Sequence, residues 1–237
     1  MQNTMEVIRT ITACVCAIVV IATLPHVVGS TSTDPAIVVN SDEVAKSRAN
    51  RENVEALICK LRSPNRDPNP DMKPGPIHFP REYDEVAQKN VEMAQAELVS
   101  RGKDAFPALI AHLDDEGYSL SRETAVLRSL SVGEVCFSII EQQVDPAPVR
   151  YKVRGGADGK WHSYQRYLSH YLGHKTGKRK GMRQWWQERQ QLSLREMQIE
   201  AYEWRIKHER KIGFSDAADR EQILQPLIQE LDRLRTE

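Results

Sequence analysis

Cysteine, aromatic residues and net charge are all scarce in this chain, and each scarcity removes a class of function. Only four cysteines occur in 237 residues and none form a Cys-x-x-Cys pair, so neither thioredoxin-like redox chemistry nor a zinc ribbon is encoded. Lys plus Arg and Asp plus Glu each number 33. This balance argues neither for nor against a nucleic-acid partner, and no specific one is expected. A nucleophile elbow, a dinucleotide glycine fingerprint and catalytic carboxylates at a recognisable spacing are also missing. The chain carries no catalytic signature, and no cofactor is expected.

Long apolar runs are lacking too. The most apolar stretch, Ile11 to Leu24, falls short of the about twenty residues that a spanning helix needs. It follows Arg9 and leads to the small-residue end Val27-Val28-Gly29-Ser30, the pattern of a secretory signal peptide over residues 1–30. Cleavage is expected after Gly29 or Ser30, leaving no membrane span; retention as an anchor is the alternative. Ile11-Thr12-Ala13-Cys14 has the look of a lipidation box, but the apolar run follows Cys14 instead of preceding it, which excludes that reading. The expected location is periplasmic or extracellular. Cleavage leaves Cys59 and Cys136, which can pair in an oxidising compartment or serve as small hydrophobes on apolar helix faces.

Residues 31–82 read as a polar leader, a helix and a Pro-rich connector. The helix, Ser41 to Leu61, is capped by Ser41 and turns Val44, Val54, Leu57, Ile58 and Leu61 to one side. Prolines 64, 68, 70, 74, 76 and 80 then exclude regular structure. The centre of the chain is 83–144. From Asp84 to Ser100, Ala87, Val91, Ala94 and Leu98 recur every three or four residues, and Val86, Ala96 and Val99 widen that face. Gly102 suits a left-handed helix end, Asp104 an N-cap and Pro107 a first turn, with Phe106, Leu109, Ile110 and Leu113 as a second apolar face.

Glu97, Leu98, Gly102, Asp104, Ala105, Phe106, Pro107, Ala108, Leu109 and Ile110 together resemble a HEAT-like repeat, over about one repeat. The resemblance implies a helical-hairpin packing unit and a surface that binds other proteins, and it implies no chemistry. The segment Ser131 to Val144 and the Trp185-Trp186 segment resemble parts of exported bacterial proteins. Ser131 and Glu134 stand at capping-box spacing before the apolar face Val132, Val135, Cys136, Ile139, Ile140 and Val144. Ahead of that helix, Tyr118 to Leu130 reads as loop with a short helix. Asp114-Asp115-Glu116-Gly117 lacks the alternating spacing of a calcium loop and reads as a solvated turn.

Residues 145–181 form a basic, aromatic insert. Between Tyr151 and Arg183 nine Lys and Arg face the single acid Asp158, interleaved with Trp161, Tyr164, Tyr167 and Tyr171. Tyr151 to Val153 and Trp161 read as a short hairpin turning through glycines; Arg154 to Lys160 lacks the spacing of a phosphate loop. Lys175, Lys178, Arg179, Lys180 and Arg183 flank two glycines and are expected in a solvated loop that attracts anionic polymers or balances acids elsewhere in the fold. His170 and His174, one helical turn apart, can share a metal, with His162 as the nearest third ligand. Histidines resting beside tyrosines are the plainer reading.

Residues 182–237 read as a helical hairpin. Met182, Trp185, Trp186 and Arg189 begin it, and Ser193 with Glu196 forms a second capping box. The following helix carries two stripes, Met197/Ala201/Trp204 and Ile199/Tyr202/Ile206, and ends at Gly213-Phe214. Ser215 is expected to cap a last helix with Ile223, Leu224, Leu227, Ile228, Leu231 and Leu234 inward and a kink at Pro226. The expected fold is all-α: a HEAT-like hairpin packed with a C-terminal helical hairpin, with a short irregular or hairpin insert. The expected function is an exported, non-enzymatic module holding a protein partner on a helical surface. The alternatives are a binder of anionic envelope polymers through 175–183, and a metal-dependent hydrolase using His170 and His174.

Overall fold

A computed structural model describes residues 41–70, 79–123, 127–146, 153–172 and 178–236. Residues 1–30, where a signal peptide was expected, and also His174 and Lys175, lie outside them. The described chain is mostly helical and, from residue 41 onward, belongs to one unit.

At its centre is α4, Val132–Val144, whose capping box forms as its sequence demands: the Ser131 hydroxyl accepts from Glu134 N–H and the Glu134 carboxylate from Ser131 N–H. Val132, Val135, Cys136, Ile139, Ile140 and Val144 are all at most 1% exposed, so this helix is covered along its whole apolar face. It packs against α2 (Glu85–Ser100), α3 (Phe106–Ala111) and α7 (Leu194–Ile212). The helix α1, Ser41–Lys60, lies on α2 and α3 and buries Val54, Leu57 and Ile58, with Leu61 just beyond its end.

The link from α2 to α3 differs in detail from the expectation. Asp84 caps α2 through Ala87 N–H, and Gly102 takes φ +61°. A 3₁₀ turn, Gly102–Ala105, then leads into α3, so the position before that helix is Ala105 and Asp104 caps nothing. On α2, Val91, Ala94 and Leu98 are buried, but Val86 is 71% exposed and Ala96 is exposed, so the buried stripe is narrower than the one expected.

Two small antiparallel sheets correct the all-α expectation. Tyr118 to Leu130 is not loop with a helix: β1, Tyr118–Glu123, pairs with β2, Leu127–Ser131, in the register Leu120↔Leu130 and Ser121↔Ser129. Gln88 of α2 secures this hairpin by donating to Ser119 O, and Ser63 N–H donates to Tyr118 O. The second hairpin was expected, but with Tyr151 to Val153 opposite Trp161; Trp161 pairs instead with Gly155. The hairpin joins β3, Val153–Gly155, to β4, Trp161–Ser163.

The C-terminal third contains α7 and α8 (Ala217–Thr236). The two stripes of α7 serve two cores. Met197 and Ala201 join the main core with Trp204 beside it, whereas Tyr202 and Ile206 pack with Ile223, Leu224, Leu227, Leu231 and Leu234 of α8. Asp216, not Ser215, caps α8 by accepting from Asp219 N–H at 2.8 Å, and the helix continues through Pro226.

Candidate functional site

The helices α1 and α3, with α6 (Lys178–Arg189), enclose a groove of about 1030 Å³. Its floor is Val54, Pro107, Ala108, Ala111 and Trp186. Helical periodicity explains the floor: Pro107, Ala108 and Ala111 fall at spacings of three and four on α3, opposite its buried Phe106, Leu109 and Ile110. Trp186 is half-buried and meets Phe106 edge to face, ring centroids 5.8 Å apart. Along the rim, Lys46 and Arg51 of α1 are exposed, with Glu55 one turn on and Asp104 across the groove. Glu55 meets His112 Nε2 at 2.8 Å and thereby ties α1 to the end of α3. Lys103 donates to Leu192 O at 2.5 Å and lies over the Trp186 ring.

The segment expected to be a solvated basic loop is in part a helix. Lys178, Arg179 and Lys180 form the first turn of α6, and Arg183 lies one turn on. Gly181 does not break that helix. It lets α6 approach α5 (Ser169–Leu172), where a Cβ on Gly181 would stand 1.8 Å from Tyr171 O. Arg183 is engaged with Asp114 at 2.5 Å, both side chains about half exposed. Two further cations of the basic insert meet acids from other segments: Arg154 reaches Glu209 and Arg166 reaches Glu141.

A buried ionic seam joins this insert to α7, and local sequence patterning held no sign of it. Arg154 and Glu209 have side chains 6% and 1% exposed, and Arg154 also donates to Gly213 O at 2.8 Å. One turn earlier on α7, Arg205 is 1% exposed, donates to Asp145 at 3.1 Å and stacks on the Tyr164 ring at 4.0 Å. Asp145 also accepts from Tyr167 N–H. Next to this seam, Trp185 is fully buried and donates to the Tyr167 hydroxyl. Burial raises the Tyr167 pKa. Arg189 grips Glu200 through two hydrogen bonds, at 2.6 and 2.8 Å, above the Tyr171 and Trp185 rings. These contacts are structural: they seat the insert on the C-terminal hairpin.

Of the histidines, His170 falls in α5, and His162 is held by Asp158 at 2.9 Å. No group of three or more metal-ligating side chains is present among the described residues. Both described cysteines are free. Cys136 is buried, as expected, but Cys59 is exposed at the end of α1 and not on its apolar face. Burial pushes the Cys136 thiol up to about 12. The Asp114 to Gly117 turn is organised by Asp115, whose carboxylate takes two hydrogen bonds from Arg62 and one from Gly117 N–H. No helix among the described residues is long and apolar enough to cross a membrane. No known protein family, no curated protein and no solved structure matches the chain.

Proposed function

We propose that the chain is an exported, non-enzymatic interaction module that seats a segment of a protein partner in the groove between α1, α3 and α6. The observation that carries this reading is the groove's make-up: a concave floor of small apolar residues and one tryptophan, edged by charges of both signs. That is the anatomy of a protein interface, where an aromatic anchor supplies affinity and rim charges supply register. The pair α2 and α3 is read as a HEAT-like packing unit, with the groove on its α3 side. Export rests on the pattern of residues 1–30.

A photo-crosslinking side chain at exposed Ala111, in the groove, is expected to trap a discrete adduct in the native host. The same group at Met93, on the outer side of α2, should trap none. Adducts of equal yield at both positions, or none at 111, would end the reading. A reporter that is active only outside the cytoplasm, fused after residue 40, tests export separately.

A second reading assigns binding of anionic envelope polymers to 175–183. Its support is that Lys178, Arg179 and Lys180 open α6, where the positive end of the helix dipole adds to their own charge. Binding to immobilised heparin should fall steeply with salt and shift in the triple alanine variant of these three.

A further inference from the structure

The hairpin of α7 and α8 has a small core of its own, and α8 packs chiefly on α7. One side of the hairpin is left uncovered. There the two helices flank a groove of about 500 Å³, in which Ile206, Ile228 and Leu231 are edged by charges that include Glu203, Arg210, Asp232 and Arg235. Ile206 and Leu231 are buried, Ile228 is half-buried, and these four charged residues are exposed.

Helical spacing orders the charges along this side. On α8, Glu221 stands two turns before Ile228 and Arg235 two turns after it, so the three share one face. On α7, Glu203 precedes Ile206 by about one turn and Arg210 follows it by about one turn. Each helix thus carries an acid on the N-terminal side of an isoleucine and a cation on its C-terminal side. Arg235 meets Glu203 at 2.7 Å, with both side chains 51% exposed. Arg210, Glu221 and Asp232 make no ion pair among the described residues.

We propose that this face binds a second copy of the chain, α7 against α7 and α8 against α8, both antiparallel, about a two-fold axis that crosses the hairpin at Ile206 and Ile228. In a two-fold interface residue i meets j and j meets i, so the face must complement itself when reversed. This face does. On α8 the reversal sets Ile228 against Ile228, Glu221 against Arg235 and Gln225 against Asp232; on α7 it sets Glu203 near Arg210. Lys207 lies toward the outer edge of α7, where its stem can cover Ile206 of the second copy while its ammonium stays in water. Two helical hairpins joined in this way form a four-helix bundle, which closes the groove. A partner of one charge sign, such as an anionic bilayer or an acidic peptide, would match one half of the face and meet like charge on the other. The site is separate from the groove between α1, α3 and α6, and it depends neither on export nor on what that groove holds.

The test is sedimentation velocity of the full chain and of two charge-reversal variants. A reversible dimer with a dissociation constant of about 10 µM is expected, weakening as salt rises. Glu221→Arg and Arg235→Glu each turn both end contacts on α8 into like-charge contacts and should each weaken the dimer at least about tenfold. Both positions are exposed, so circular dichroism should show unchanged helix content. An equimolar mixture of the two variants restores opposite charges at both contacts and should dimerise about as well as the parent. Association through any other face would not respond to that pairing. The proposal is overturned if the parent is monomeric at about 100 µM, if either single variant dimerises like the parent, or if the mixture associates no better than the variants alone.

Discussion

Arg154 and Glu209, 55 positions apart in the chain, meet as a buried ion pair, with Arg154 Nη2 at 2.8 Å from Glu209 Oε2. The contact fastens the β3–β4 hairpin to the last turn of α7. The guanidinium also lies 4.9 Å from the Phe214 ring centroid. Its charge is therefore enclosed by the carboxylates of Glu209 and Asp219, the backbone carbonyls of Gly155, Glu209 and Gly213, and an aromatic face.

A first prediction concerns that pair. Glu209→Leu removes the nearer carboxylate from a buried cation, leaving only Asp219 at 3.4 Å, and should lower unfolding free energy by about 3 kcal/mol in urea titrations. The double variant Arg154→Met/Glu209→Leu removes both buried charges, leaves the more exposed Asp219, and should recover most of the loss. Equal losses in the single and double variants would show that packing, not charge, holds the contact.

Glycines separate close helix contacts from open space. A Cβ on Gly133, in the first turn of α4, would stand 2.2 Å from Leu113 O. Gly133→Ala should therefore cost about 1–3 kcal/mol by forcing α4 away from the end of α3. Gly155→Ala, with nothing within 4 Å, should stay within about 0.5 kcal/mol of the parent. Thermal denaturation of the two variants side by side decides this.

The described thiols should react very differently. With its ionisation suppressed by burial, Cys136 should resist alkylation in the folded protein at about pH 8. Cys59 is exposed and should be modified readily. Peptide mapping after brief iodoacetamide treatment should find Cys59 labelled alone of the two, and both labelled in denaturant. Rapid native labelling of Cys136 would contradict the packing of α4.

Acid should weaken the hold of the insert and the start of α7. The Glu196 carboxyl is held below its usual range by the Ser193 N–H and hydroxyl. Burial alone would raise Glu200, but hydrogen bonds from Arg189 and Tyr167 pull it below its usual range. A carboxylate with a lowered folded-state pKa contributes stability above its unfolded value, and that stability fades as pH falls through the folded value. The melting temperature should thus drop as pH falls below about 4.5, and less steeply in Glu196→Gln/Glu200→Gln. An identical slope in that variant would assign the acid sensitivity to other carboxylates.

Several elements were legible before any tertiary contact was known, and they share a cause. The capping boxes at Ser131/Glu134 and Ser193/Glu196 join atoms three residues apart, and the two stripes of α7 follow from helical spacing alone. Where partners lie far apart in the chain, local pattern failed. Each strand of the 118–131 hairpin has few apolar residues, and its place depends on Gln88 and Ser63 as well as on strand pairing. The glycines among the basic residues read as part of a loop, whereas Gly181 is helical and its reason for being glycine is the backbone of Tyr171 in another helix. Of the groove, Val54 of α1 was readable as apolar, but the face of α3 formed by Pro107, Ala108 and Ala111 and its meeting with Trp186 were not.

Short-range stereochemistry, caps and apolar spacing sufficed to make this chain mostly helical and to place α2, α4, α7 and α8 along it. Packing between distant segments assigned the rest: which cations of the basic insert are neutralised, which cysteine is hidden and which tryptophan faces water. Burial and ion pairing are set by neighbours brought together only when the chain folds. Arg154 and Lys160, six residues apart and alike as cations, therefore end with opposite fates: one is sealed against Glu209 and the other is exposed to solvent.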